Sequence, residues 1–159
     1  MLSMPLGGKR VLVAEHVVSI LTQYRQIGPR DPEAGGILLG QLSVAEDVVL
    51  INRASVPGPF DRATRHSFRR DSRWAQGIST YEFLNSGGHI VYLGEWHTHP
   101  ARAASPSPRD TRMIAEQYAG NLLVTDFLLL FIVANEELYV GLYDGTTLRH
   151  VTCPLDDSA

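Results

Sequence analysis

The chain concentrates metal-binding and proton-transferring side chains in one segment, Glu95-Trp-His-Thr-His-Pro-Ala-Arg-Ala-Ala-Ser-Pro-Ser-Pro-Arg-Asp110. His97 and His99 follow a stretch, Ile90 to Trp96, that reads as a central strand. In extended chain, residues i and i+2 project to the same face, so both imidazoles can reach one ion. Asp110 falls in the first turn of a helix predicted over Pro108 to Tyr118, with Ser107 as N-cap and Pro108 in the first turn. A strand, a loop and a helix start can converge on a point, which lets the carboxylate complete the set. Two nitrogens and one oxygen leave a fourth tetrahedral position open. That pattern belongs to catalytic zinc sites, whereas structural sites are closed and rich in Cys. The plainer reading makes His97 and His99 surface histidines and Asp110 a carboxylate that merely favours the helix N-terminus.

Neighbouring groups have competing readings. Ser107 can cap the helix, face the metal as a donor, or do both in part. Glu95 lies close in sequence to the histidines and shares a face with His97. It could act as a base, support the ligands, or pair with an arginine. Trp96, alternating with His97, is expected to point into the opposite layer. His66 and His89 lack motif spacing and read as surface or packing residues. Cys153 is the single cysteine. It reads as structural, in keeping with a reducing compartment.

The elements that must position these residues alternate between helix and strand. Val11 to Ile27 has apolar residues at three- and four-residue steps and predicts an amphipathic helix. Gly28-Pro29-Arg30-Asp31-Pro32 breaks the chain. Gly36 to Leu42 and Val48 to Val56 read as strands, the second ended by Pro57-Gly58-Pro59. A short strand is expected around Phe68. Ser72 to Asn85 reads as a helix with Ser72 as N-cap, an apolar side formed by Trp74, Ile78, Tyr81 and Phe83 or Leu84, and a stop at Gly87-Gly88. Strands are expected over Asp126 to Ala134, Leu138 to Tyr143 and Leu148 to Cys153. Asp144-Gly145 is the hairpin signal between the last two. The mixture predicts an α/β or α+β fold in one domain spanning residues 1–159.

Composition narrows the function classes. The 159 residues are 44% hydrophobic and 19% charged, which suits a globular chain. A net charge of −3 gives no reason to expect a nucleic-acid partner, although arginines cluster from Arg62 to Arg73. That run could meet an acidic surface. Phe127 to Ala134 is too short an apolar run to cross a membrane, and the N-terminus lacks a secretion signal. A soluble, cytoplasmic protein is expected.

Glu…His-Thr-His-Pro-x6-Ser-x2-Asp resembles the signature of the JAB/JAMM (MPN-domain) metallopeptidases. Glu33-Ala-Gly-Gly-Ile-Leu-Leu-Gly40 is also similar to that family's N-terminal segment, so the likeness covers most of the chain. The resemblance implies a curved mixed β-sheet flanked by helices, akin to cytidine deaminases. It also implies Zn2+ on His97, His99 and Asp110, Glu33 as general base, and Ser107 as oxyanion donor. A deaminase itself would need a Cys-rich zinc set, which one cysteine cannot supply. Pro57-Gly-Pro-Phe-Asp61, Phe68-Arg-Arg70 and Tyr92-Leu-Gly-Glu-Trp-His-Thr-His-Pro100 resemble a narrower bacterial subgroup, the deconjugating JAB peptidases of CBASS anti-phage operons. That likeness implies a protein substrate carrying a ubiquitin-like or CD-NTase (cGAS/DncV-like nucleotidyltransferase) C-terminal tail, attached by an E1–E2 fusion system. The alternatives are a peptidase trimming a ubiquitin-like or sulfur-carrier precursor at its C-terminal glycine, and a non-catalytic MPN scaffold. The scaffold reading requires missing ligands, and none is missing.

Overall fold

The computed structural model describes residues 1–155. Its frame is an eight-stranded mixed sheet. In chain order the strands are β1 (Leu2–Leu6), β2 (Lys9–Val13), β3 (Gly35–Ser43), β4 (Val48–Ala54), β7 (Val91–Thr98), β8 (Leu128–Val133), β9 (Glu137–Tyr143) and β10 (Leu148–Pro154). Their spatial order is β1-β2-β4-β3-β7-β8-β9-β10. The pairs β2–β4 and β7–β8 are parallel and the remainder antiparallel. The sheet curves far enough that Gly7, in the β1–β2 turn, packs on Leu142 of β9. A separate hairpin, β5 (Arg62–Thr64) with β6 (Ser67–Arg69), stands off the sheet. Three helices flank it: α1 (Glu15–Gln23), α2 (Ser72–Asn85) and α3 (Pro108–Gly120).

Both faces of the central strands are covered. On one, α1 packs Val17 and Leu21 against Leu38, Leu93, Trp96, Leu129, Phe131 and Val133. On the other, α3 places Ile114 against Leu128, Leu130 and Ile132. Strand β8 therefore reads as unbroken apolar sequence, each residue buried on one side or the other. Helix α2 covers Ile37 and Leu39 through Ala75, with Ile78 at the margin.

The elements differ from the sequence expectation in several places, beginning with β1 (Leu2–Leu6), where no strand is expected. Helix α1 begins at Glu15, not Val11, because Val11 and Val13 belong to β2 and face the core. Alternating Val-Leu-Val satisfies a two-residue period as well as a helical one, and pairing with β1 and β4 decides the matter. The cap of α2 is Asp71, whose carboxylate accepts the Trp74 N–H at 2.8 Å, and not Ser72. The expected apolar side of α2 is largely solvent-facing: Trp74, Tyr81, Phe83 and Leu84 are exposed, and the helix is buried at Ala75. The cap of α3 at Ser107, the stop of α2 at Gly87-Gly88 and the Asp144-Gly145 hairpin are as expected. Cys153 is half-buried in β10, beside the core.

Strand β7 holds the detail that matters most for the site. Val91 and Leu93 face the α1 side, and strict alternation would send Glu95 and His97 there too. Instead the pairing with β3 shifts between Leu38 and Leu39, which oppose Gly94 and Tyr92, so Leu93 is an extra residue on β7. This bulge reverses the phase of the pleat. Trp96 then enters the core while Glu95 and His97 turn to the α3 side with Tyr92. Glycine is required at the bulge, because a Cβ on Gly94 would run into the Leu129 backbone carbonyl. Gly94→Ala should therefore destabilise the fold by about 3 kcal/mol, as overpacking against rigid backbone does. Urea denaturation measures this, and wild-type stability in the variant would contradict the assignment of the bulge.

Candidate active site

The reversed pleat delivers His97 to one side of β7, and the chain continues past Thr98 to His99. Antiparallel pairing places Gly35 opposite His97. Glu33 lies two residues before Gly35, its backbone N–H donating to the Thr64 carbonyl at 2.8 Å, and its carboxylate feels both His97 and His99. With no side chain at Gly35, the Phe68 ring can lie over it; a Cβ there would stand 2.6 Å from the ring. Phe68 thereby seats the β5–β6 hairpin beside His97.

Asp110 arrives from α3. Its backbone N–H donates to Ser107 Oγ at 3.2 Å, and its Oδ2 accepts the Ser107 N–H at 2.7 Å, which forms a reciprocal capping box. The cap holds the carboxylate between the two imidazoles. His97 Nε2 lies 3.0 Å from Oδ1, and His99 Nε2 lies 3.1 Å from Oδ2. His97, Glu33 and Asp110 are buried and His99 nearly so.

These donors fit a metal ion. One donor atom from each of His97, His99 and Asp110 lies within 4.8 Å of the others. A tetrahedral zinc with bonds of about 2.0–2.1 Å needs its donors about 3.3 Å apart. His97 Nε2 is buried and, although close to Asp110, is not aligned to hydrogen-bond with it or with any other described group. A buried nitrogen without a partner is costly unless something else satisfies it. Two neutral nitrogens and a carboxylate oxygen are the donor set a divalent ion would use.

The electrostatics agree. Burial alone would push the Asp110 carboxyl up, but the two imidazoles and the Ser107 N–H hold it well below the usual carboxylate range. Burial would depress His99, but Asp110, Glu33 and a hydrogen bond to the Ser105 backbone hold it above the ordinary imidazole value. Glu33 is raised, chiefly by burial, although the nearby histidines pull the other way.

Glu95 does not stand free as a base. Arg70 grips it, with Nε 2.8 Å from Oε2 and Nη2 2.7 Å from Oε1, and the Tyr92 hydroxyl donates to Oε1 at 2.6 Å. Of its three readings, the partner of an arginine is the one realised. Arg70 also donates to Gln117 of α3 at 3.0 Å, so one guanidinium joins hairpin, sheet and helix. A second buried network holds the Glu33 segment. Thr98 Oγ1 accepts the Ala34 N–H at 2.9 Å and donates to Gln26 Oε1 at 2.9 Å. Gln26 in turn donates to the backbone carbonyls of Asp31 and Arg65. Sequence reasoning missed Gln26, Tyr92 and the particular arginine, for none has motif spacing. Thr98 could have been found, since a polar residue between two same-face ligands must point into the core. His66 and His89 are exposed, as expected.

Glu33, His97, His99, Ser107 and Asp110 all line one cleft of about 1240 Å³ between the hairpin and α3. A cleft in which His97, His99 and Asp110 could hold a metal ion beside a buried carboxylate is the arrangement a metallohydrolase would use.

Comparison with known proteins agrees. Residues 14–149 match the family described as prokaryotic homologs of the JAB domain. The chain belongs to this family and is a JAMM-type metallopeptidase. A relative from Escherichia coli, named CD-NTase/cGAS isopeptidase, is 31% identical over 82% of this chain and 80% of its own length. One from Pseudomonas aeruginosa with the same name is 34% identical over 84% and 83%. The solution structure of DSY2949 from Desulfitobacterium hafniense shares the fold, with a TM-score of 0.61 at 24% identity over 89% of each chain.

Thr98→Val should leave the Ala34 N–H and Gln26 Oε1 without a partner and cost about 2 kcal/mol or more, while Thr98→Ser should retain most of the stability. Thermal unfolding of both variants checks this; equal stability of the Val variant would contradict the network.

Proposed function

We propose that this chain is a zinc isopeptidase that releases a CD-NTase from a protein to which its C-terminal tail has been joined by an E1–E2 fusion system in anti-phage defence, acting in the cytoplasm. The reading is carried by the meeting of Glu33, His97, His99, Asp110 and Ser107 in one cleft. It is supported by the names of relatives that match most of the chain.

His97, His99 and Asp110 would hold the ion. Zinc there would supply the charge that acidifies water and polarises a scissile carbonyl. Glu33 would take the proton from the attacking water and deliver it to the leaving lysine ε-amine. Burial favours its neutral form, which suits a group that must carry a proton between two partners. Ser107 Oγ accepts from the Asp110 N–H, which leaves its own hydrogen free to donate to the developing oxyanion. Arg70 and Tyr92 would keep Glu95 occupied, so that one carboxylate alone serves as base.

The test is release of GFP from a CD-NTase–GFP fusion, with and without chelator. Wild type should cleave at the CD-NTase terminus, and chelator should stop it. Glu33→Gln should lower turnover on the order of 10²-fold or more while zinc content stays unchanged. Full activity in Glu33→Gln would remove Glu33 from the chemistry, and chelator-resistant cleavage would remove the metal. A neighbouring gene for an E1–E2 fusion favours deconjugation; one for a ubiquitin-like protein extended beyond its Gly-Gly favours precursor trimming.

A further inference from the structure

Four arginines rim the cleft from two sides. Arg62 and Arg69 lie directly opposite one another on the β5–β6 hairpin. Arg109 and Arg112 sit three apart on the first turns of α3. All four are exposed and line the cleft. None makes an ion pair with a described carboxylate, in contrast to Arg53, Arg70 and Arg102.

The placement of these arginines relative to one another is electrostatically unfavourable for the isolated protein. Like charges directly opposite on a hairpin repel. Cations at a helix N-terminus oppose the helix dipole, and two of them at an i,i+3 spacing repel one another. The placement also runs against the whole chain, whose net charge is −3. Of the acidic residues in the cleft, Glu95 is taken by Arg70 and Asp110 lies between the histidines. Glu33 and Glu116 are left against four arginines.

We propose that these arginines form the docking surface for an acidic stretch of the protein substrate flanking the bond to be cut. The surface converges on the metal triad from both walls of the cleft, so a segment held there lies across the site. An extended peptide fits a cleft of about 1240 Å³. A long nucleic acid would instead meet the acidic remainder of the molecule. The inference rests on the peptidase reading for the role of the segment, but binding itself requires no turnover.

The experiment uses the zinc-loaded full chain carrying Glu33→Gln and a fluorescent twelve-residue Asp/Glu/Gly peptide. Controls are the Asn/Gln counterpart and a single-stranded oligonucleotide of equal charge. Anisotropy should show the acidic peptide binding and the neutral one not. Neutralising either pair, Arg62→Gln with Arg69→Gln or Arg109→Gln with Arg112→Gln, should weaken binding roughly tenfold, and raised salt should weaken it further. These side chains are exposed, so unchanged thermal unfolding verifies the fold of each variant. The proposal is overturned if both peptides bind alike, if the variants bind the acidic peptide unchanged, or if the oligonucleotide binds more tightly through the same arginines. Failure of the zinc-loaded wild-type chain to cleave the CD-NTase–GFP fusion, with acidic-peptide binding intact, would fault the isopeptidase reading alone.

Discussion

Strand β7 must satisfy two environments at once, and it does so by changing the phase of its pleat. Before the bulge, Val91 and Leu93 feed the core under α1. After it, Trp96 does, and the intervening positions Glu95 and His97 face the cleft. Without the extra residue, His97 would be driven into apolar packing and Trp96 into the site. The Trp96 indole donates to the Ser55 carbonyl at 2.8 Å, and its ring meets Tyr24, the C-cap of α1, so the reversed phase is locked from the core side. Burying a side chain of this size contributes roughly 2–3 kcal/mol, ample to fix the register.

From that register the remaining parts are placed by short-range chemistry. The capping box at Ser107 carries two jobs, since the carboxylate that accepts the cap N–H also faces both imidazoles. The Gln26–Thr98–Ala34 chain ties the segment of Glu33 to the histidine strand. The Arg70–Glu95–Tyr92 cluster ties hairpin and α3 to the same strand on its cleft side. Both networks are enclosed, where paired polar groups are strong and unpaired ones costly. A rigid frame of this kind keeps a reactive constellation within the small tolerances that hydrolysis needs.

Much of this was legible in the sequence. His-x-His at a strand end followed by Ser-Pro-x-Asp at a helix start states its own geometry, because each spacing maps onto a known periodicity. Glu33 was not legible from spacing, as 64 positions separate it from His97; only the resemblance to a family supplied it, and the β3–β7 pairing explains it. Residues whose role depends on long-range pairing, such as Arg70 with Glu95 or Gln26 with Thr98, leave no local trace. Val11-Leu-Val13 fits two periods, so the sequence alone starts helix α1 too early. The aromatic residues of helix α2 have the pattern of a core face yet stay in solvent.

X-ray absorption at the zinc edge of the purified protein tests most directly whether His97, His99 and Asp110 form the metal centre. A three-ligand centre with one open position should give a shell of nitrogen and oxygen at about 2.0–2.1 Å with outer scattering from two imidazoles. Asp110→Ala should lower the metal content of the same sample. A sulfur shell at about 2.3 Å, or metal retained in full without His97 and His99, would contradict it.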